Sequence, residues 1–356
     1  MIIITQIQSF LSKHWFFIGV IQVILLAYIY PTLGVSGSPL HPEISVKIVG
    51  VSLIFLNSGL SIKTRDFAGA LTNYKLHIFI QSYTLILIPL LMYLISPLLL
   101  LLSLDTWIVS GLQVVSCLPP PVSSAVILTK AIGGNEPASI LNSALGSFLG
   151  VFFSPALIYL SLGLTTSVPF LSIIQSLTLT VLCPLVLGQL LRHFWIEDML
   201  DPYKSYLTNF ASCILLAIIY TAFSGTFHKG YADGISIYSL LIILFIILIV
   251  QLFLLSLSFI ISTKLLSGFK RYDVICVLFC STHKSLTLGI PMLGVIFGNT
   301  MEGVMYSIPL LVYHPMQIII GGLLVPTLRE WVASTETSRP KPNDEPSEDT
   351  VNTSIV

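Results

Sequence analysis

The chain has 356 residues, 55% of them apolar and 9% charged, with a mean hydropathy of +0.94. Soluble domains carry roughly 25% charged residues, so water is not the solvent for most of this protein. Sixteen basic and sixteen acidic residues cancel to zero formal charge, which excludes the basic field a nucleic-acid partner needs.

Predominantly apolar runs lie near 15 to 30, 44 to 61, 76 to 96, 107 to 132, 138 to 162, 169 to 191, 207 to 226, 237 to 262, 272 to 297 and 303 to 326. Each is long enough to cross hydrocarbon. They predict ten helices, because a lipid-embedded segment must satisfy its own backbone hydrogen bonds. The lipid bilayer is thus the first partner. The run from Trp15 to Tyr30 follows Lys13 and His14 and precedes small residues at Ser36 to Ser38, as a signal peptide would. We read it as an uncleaved span, since keeping it gives two halves of five. Cys117, Cys183, Cys213, Cys276 and Cys280 all sit inside apolar runs and predict buried, reduced thiols with neither disulfide nor zinc.

Thirteen of the sixteen basic residues fall on one side of this arrangement: Lys13, Lys63, Arg65, Lys75, Lys130, Arg192, Lys204, Lys264, Lys270, Arg271, Arg329, Arg339 and Lys341. The positive-inside rule then places both termini in the cytosol. The expected organisation is a cytosolic N-terminus (1–14), two five-helix repeats (15–162 and 163–328) and a disordered cytosolic tail (329–356) too polar to fold alone. The N-x-S/T match at Asn352 would go unused there. The ending Ser354-Ile355-Val356 fits PDZ-type domains, which capture a free carboxylate by strand addition.

Five spans per half is odd, so repeated halves must be inverted, a common plan for secondary transporters. An offset of 164 sets Gly134-Asn135 on Gly298-Asn299, Cys117 on Ser281, and the prolines on His283-Lys284-Ser285. Pro119, Pro120 and Pro121 cannot continue a helix and must break span 4; Gly289 and Pro291 are expected to break span 9. Unwound backbone at membrane depth survives only inside protein or beside a wet cavity, so helices 4 and 9 are expected to cross at a midplane site. Polar residues gather there, among them Ser116, Ser123, Ser124, Asn142, Ser143, Ser281, Thr282, His283, Ser285 and Thr287.

Lys284 stands apart. It lies deep in span 9, where a charge costs about 2.5–3.5 kcal/mol on insertion scales, and Asp105, Glu136, Asp273 and Glu302 all fall at helix ends. Its partner must be backbone carbonyls, hydroxyls, His283, a protonation change or an anionic substrate. His314 and the glutamines Gln81, Gln251 and Gln317 are polar groups in apolar helices that either line a cavity or bridge helices.

The stretches FLNSGLSIKTRDF, GLQVVSCLPPPVSSAVILTKAIGGNE, NSALGSFLG and CSTHKSLTLGIPM resemble those of the sodium/bile acid cotransporter superfamily, within it the member 7 branch, over about residues 14 to 330. The resemblance implies an all-α membrane fold with a core of spans 3–5 and 8–10 and a panel of spans 1, 2, 6 and 7. For sodium it implies Ser123 and Ser124 after the first break, Ser139 and Ser143 in span 5, and Gln81 in span 3. Thr282 stands where the family's glutamate would be, and a fixed ammonium at Lys284 could replace a bound cation, so the chain departs from the sodium-coupled pattern and the resemblance does not by itself imply sodium (Na+) coupling. The branch further implies restraint of calcium influx, secretory-pathway glycosylation and matrix mineralisation, at the plasma membrane or in Golgi or endoplasmic reticulum membranes.

The leading reading is a secondary transporter of a small anionic solute other than bile acids, with Lys284 as charge partner. The rival is a non-transporting regulator that binds calcium-influx machinery or a Golgi partner. An intramembrane enzyme using Ser285 with Lys284, or Ser281 with His283, is disfavoured because adjacent residues on a helix do not face each other. A pore lacks any filter-like repeat.

Overall fold

The structure, a computed structural model, describes residues 2–61, 73–163, 175–176, 178–196, 201–228, 236–265, 268–298 and 300–334. Lys63, Arg65, Lys229, the side chain of Ser123, and the tail from 335 with Asn352 and Ser354-Ile355-Val356 lie outside the described residues. Every described element is helical. In chain order they are α1 (Ile2–Ile29), α2 (Val51–Ser61), α3 (Tyr74–Leu101), α4 (Thr106–Ser116), α5 (Val122–Ile132) and α6 (Glu136–Leu162). There follow α7 (Cys183–Leu191), α8 (Lys204–His228), α9 (Ile237–Leu265), α10 (Arg271–Thr282), α11 (Leu286–Ile296) and α12 (Met301–Ala333).

Taking α10 and α11 as one span, five of these are long and apolar enough to cross a bilayer: α3, α6, α9, α10–α11 and α12. Four of the other five expected spans hold shorter apolar helices, at Ile18–Ile29, Thr106–Ser116, Thr178–Phe194 and Asn209–Gly225, and the second holds α2. The surface confirms the solvent. On α3, Ile78, Ile86, Leu94 and Leu101 are exposed while Gln81 and Thr84 are buried, the reverse of a helix in water and the pattern lipid demands.

The helices pack as two groups. In one, α2 lies on α7, α1 on α8, and α8 on α2. In the other, α4 lies on α12, α5 on α6 and α10, and α9 on α10 and α12. The groups meet where α8 touches α11 and α12. One apolar core fills this junction with Ile218, Ile219, Leu286, Met292 and Leu310; a second, built on Leu76, Ala125, Ile275, Phe279 and Ile320, binds α3, α5, α10 and α12.

Three expectations change. Cys117, Cys276 and Cys280 are buried, but Cys183 and Cys213 are exposed, because an apolar run does not distinguish its lipid-facing side from its protein-facing side. Helix α1 begins at Ile2, well before residue 15. Helix α12 continues to Ala333, past the expected tail boundary at 329. Arg329 donates to Ala131 O, and the Trp331 ring meets Phe259 at 5.2 Å with the Arg271 guanidinium 5.0 Å over it, so the last turn is held by packing.

Candidate functional site

Helix α4 stops at Ser116, and residues 117–121 are non-helical before α5 opens at Val122. The cause is local. Pro119 and Pro120 have no N–H, so Ser116 O has no helical donor three or four residues on, and Pro121 removes one from Leu118 O. The prolines are themselves buried, lying on Gly146 and Gly150 of α6.

The second break is three residues long, His283-Lys284-Ser285, with His283 and Ser285 extended. Helix α11 then runs through both Gly289 and Pro291, which therefore do not break it. Ser285 ends the gap instead: its side chain caps α11 by accepting from Leu288 N at 3.3 Å, and Thr287 Oγ1 lies 3.0 Å from Ser285 Oγ. Gly289 serves packing, since a Cβ there would stand 2.5 Å from Leu310 Cδ2 and 2.6 Å from Leu118 Cδ1.

The breaks cross and bond directly. Ser285 N donates to Pro119 O at 2.9 Å. Lys284, 1% exposed, reaches across the gap and donates through Nζ to Ser116 O and Leu118 O, both at 2.8 Å, and to Thr84 O and Oγ1 at 3.0 and 3.1 Å. Thr84 lies in a π-helical turn, Tyr83–Leu87, within α3. Helix α12 braces the same residue from behind. Gln317 accepts from Lys284 N at 2.7 Å and donates to Lys284 O at 3.0 Å, replacing the helix bonds the break removed. Tyr313 donates to Thr282 O at 2.8 Å, and His314 Nδ1 lies 2.9 Å from Gln317 Nε2.

Gln317→Ala should thus strand a donor and an acceptor of the buried backbone, each costing about 1–3 kcal/mol. The expected result is a melting temperature lowered by roughly 4 °C or more, measured by thermal shift on the detergent-solubilised protein.

The other sequence-derived residues divide. Ser124 Oγ lies 3.4 Å from His283 Nδ1, while His283 Nε2 is buried without a hydrogen-bond partner. Ser139 and Ser143 turn to the Cys280 thiol, at 3.1 and 3.7 Å. Thr282 Oγ1 donates back to Leu278 O within its own helix, and Ser281 pairs with Ser258 of α9. Gln81 donates to Asn142 O at 2.9 Å and keeps Oε1 buried and unpaired. Among the described residues of this set, Gln81 Oε1 is the side-chain oxygen left without a hydrogen-bond partner. Among the described residues there is no cluster of His, Cys, Asp and Glu that could hold a metal ion.

Sequence reasoning missed Thr84 and Tyr313. Hydroxyls at Ser82, Tyr83 and Thr84 in an otherwise apolar run were the available signal for Thr84; the carbonyls of Ser116 and Leu118 carry no side-chain signal at all. A cleft of about 80 Å³ lies where the two helix groups meet, between α2 and α8 on one side and α11 and α12 on the other. Its walls include Ile218, Thr221, Pro291, Gly294 and Ser307.

Comparison with known proteins supplies the family context. The profile of the SBF-like CPA transporter family matches residues 14–330. The sodium/bile acid cotransporter 7-A of Xenopus laevis is 49% identical over 326 residues, covering 92% of this chain and 94% of that protein. The sodium/bile acid cotransporter 7 of Mus musculus is 49% identical over 324 residues, with 91% and 95% covered. That of Danio rerio is 47% identical over 324 residues, with 91% and 96% covered.

Proposed function

This chain belongs to the SBF-like CPA transporter family, and we propose that it carries a small anionic solute other than a bile acid through the cleft between its two helix groups. It is a multi-pass membrane transporter and not an enzyme. The cleft carries the reading: it is bounded by α11 directly beyond the second break, so movement of one helix group against the other alters its walls. A negative solute is favoured because the half-helix N-termini of α5 and α11, which open at the two breaks, present positive dipole ends.

The ten-span plan of inverted repeats, with both termini cytosolic, belongs to the same reading. It is supported by the two second half-helices: Val122 and Leu286 open them and Ile132 and Ile296 close them, each pair at the offset of 164. Restraint of calcium influx, glycosylation and mineralisation are the cellular consequences this reading assigns to transport, with Golgi, endoplasmic reticulum or plasma membrane as the place.

Gly294→Trp tests it. Gly294 borders the cleft, and a Cβ there meets nothing within 4 Å, so an indole fills the passage without displacing backbone. In cells lacking the protein, Gly294→Trp is expected to reach the membrane in normal amount and fail to restore control of calcium influx, while a chain ending at Val332 restores it. The opposite pattern would favour a regulator working through its tail.

A further inference from the structure

Four oxygens close on the Lys284 ammonium, one more than its three N–H bonds can serve singly. All four are neutral, and three are backbone carbonyls. That is the donor set with which membrane proteins replace the water shell of a monovalent cation, at unwound backbone and half-helix C-terminal ends. The end of α4 adds the negative pole of its helix dipole. No carboxylate among the described residues pairs with the ammonium, so these oxygens alone hold the charge.

The cage is built independently of the lysine. Pro119 and Pro120 deprive Ser116 O of its helical donors, Pro121 removes one from Leu118 O, and Thr84 sits in the π turn of α3. It uses none of Gln81, Ser123, Ser124, Ser139 or Ser143. We infer that these four oxygens form a monovalent-cation site that the chain fills with its own side chain, Lys284 acting as a tethered ion. The intact protein then needs no dissolved sodium or potassium at this point, and a chain lacking the ammonium does.

The inference rests on the cage geometry and not on the solute reading, so its test needs no substrate. Full-length Lys284→Ala and Lys284→Ser are melted in detergent in sodium, potassium or choline chloride at equal ionic strength. Both are expected to melt about 2 °C or more higher in sodium or potassium than in choline, saturating with concentration. The wild type and Lys284→Met, whose side chains fill the cage, melt alike in all three salts. Salt-independent melting of both small variants overturns the inference. So does a wild type or Lys284→Met protein shifted as far as they are. Failure of both small variants to fold in any of the salts overturns it as well, because an ion in the cage would restore the lost contacts.

Discussion

Lys284→Met is expected to reduce restored control of calcium influx at least tenfold while leaving a folded protein at normal abundance. Methionine keeps the unbranched stem and removes the ammonium. Ser116 O and Leu118 O then lose the partner Lys284 supplies, at about 1–3 kcal/mol each. Against this stands relief from burying an ammonium, a penalty of several kcal/mol for an ion in a protein interior. The two are of the same size, so the melting temperature moves by a few degrees in either direction. What disappears is the link from the second break to α3 and α4, which no other side chain of that break makes. Lys284→Arg is expected to fail too, because a planar fork does not fit a cage shaped for a compact ammonium. Full restoration by Lys284→Met would sink the role given to this residue, and flux measured beside surface abundance separates lost function from lost protein.

Gly150→Ala should destabilise the protein although alanine is the better helix former. A Cβ at Gly150 would stand 2.5 Å from Pro119 Cγ and 2.8 Å from Pro119 Cβ; one at Gly146 would stand 2.7 Å from Pro120 Cγ and Cδ. A pyrrolidine ring cannot rotate aside as a leucine can, so the whole first break must shift, and with it Pro119 O and its bond to Ser285 N. Overpacking of this kind costs about 1–3 kcal/mol, enough to lower the melting temperature by roughly 2–12 °C. Gly322→Ala is the matched control. That glycine also lies inside a helix, but its Cβ meets nothing within 4 Å, and the change should leave stability unchanged or raise it by up to about 1 kcal/mol. Equal melting of the two variants would mean that α6 does not bear on the prolines.

The prolines and Lys284 illustrate how far the residues could be read. Three consecutive prolines break a helix in any fold, because the missing N–H and the ring clash are properties of the residue, and a lysine deep in an apolar run must find oxygens. The second break was legible in place but not in cause. Gly289 and Pro291 looked like its agents, yet α11 absorbs both, and the gap at His283-Lys284-Ser285 is made by a cap, a glutamine brace from α12 and a bond to Pro119 O. The cap is local, but Gln317 and Pro119 lie 33 and 166 residues from the residues they bond, beyond the reach of any local pattern.

By itself, then, the sequence determined the solvent, the helical class, the first break and the singular charge, because hydropathy, proline geometry and charge burial act residue by residue. The tertiary structure alone decided which oxygens surround Lys284, and that Ser139 and Ser143 face the Cys280 thiol while Thr282 bonds back to Leu278 O. It also decided which cysteines face outward. Carbonyl direction and helix facing are set by packing between distant segments, and neither leaves a mark on side-chain composition.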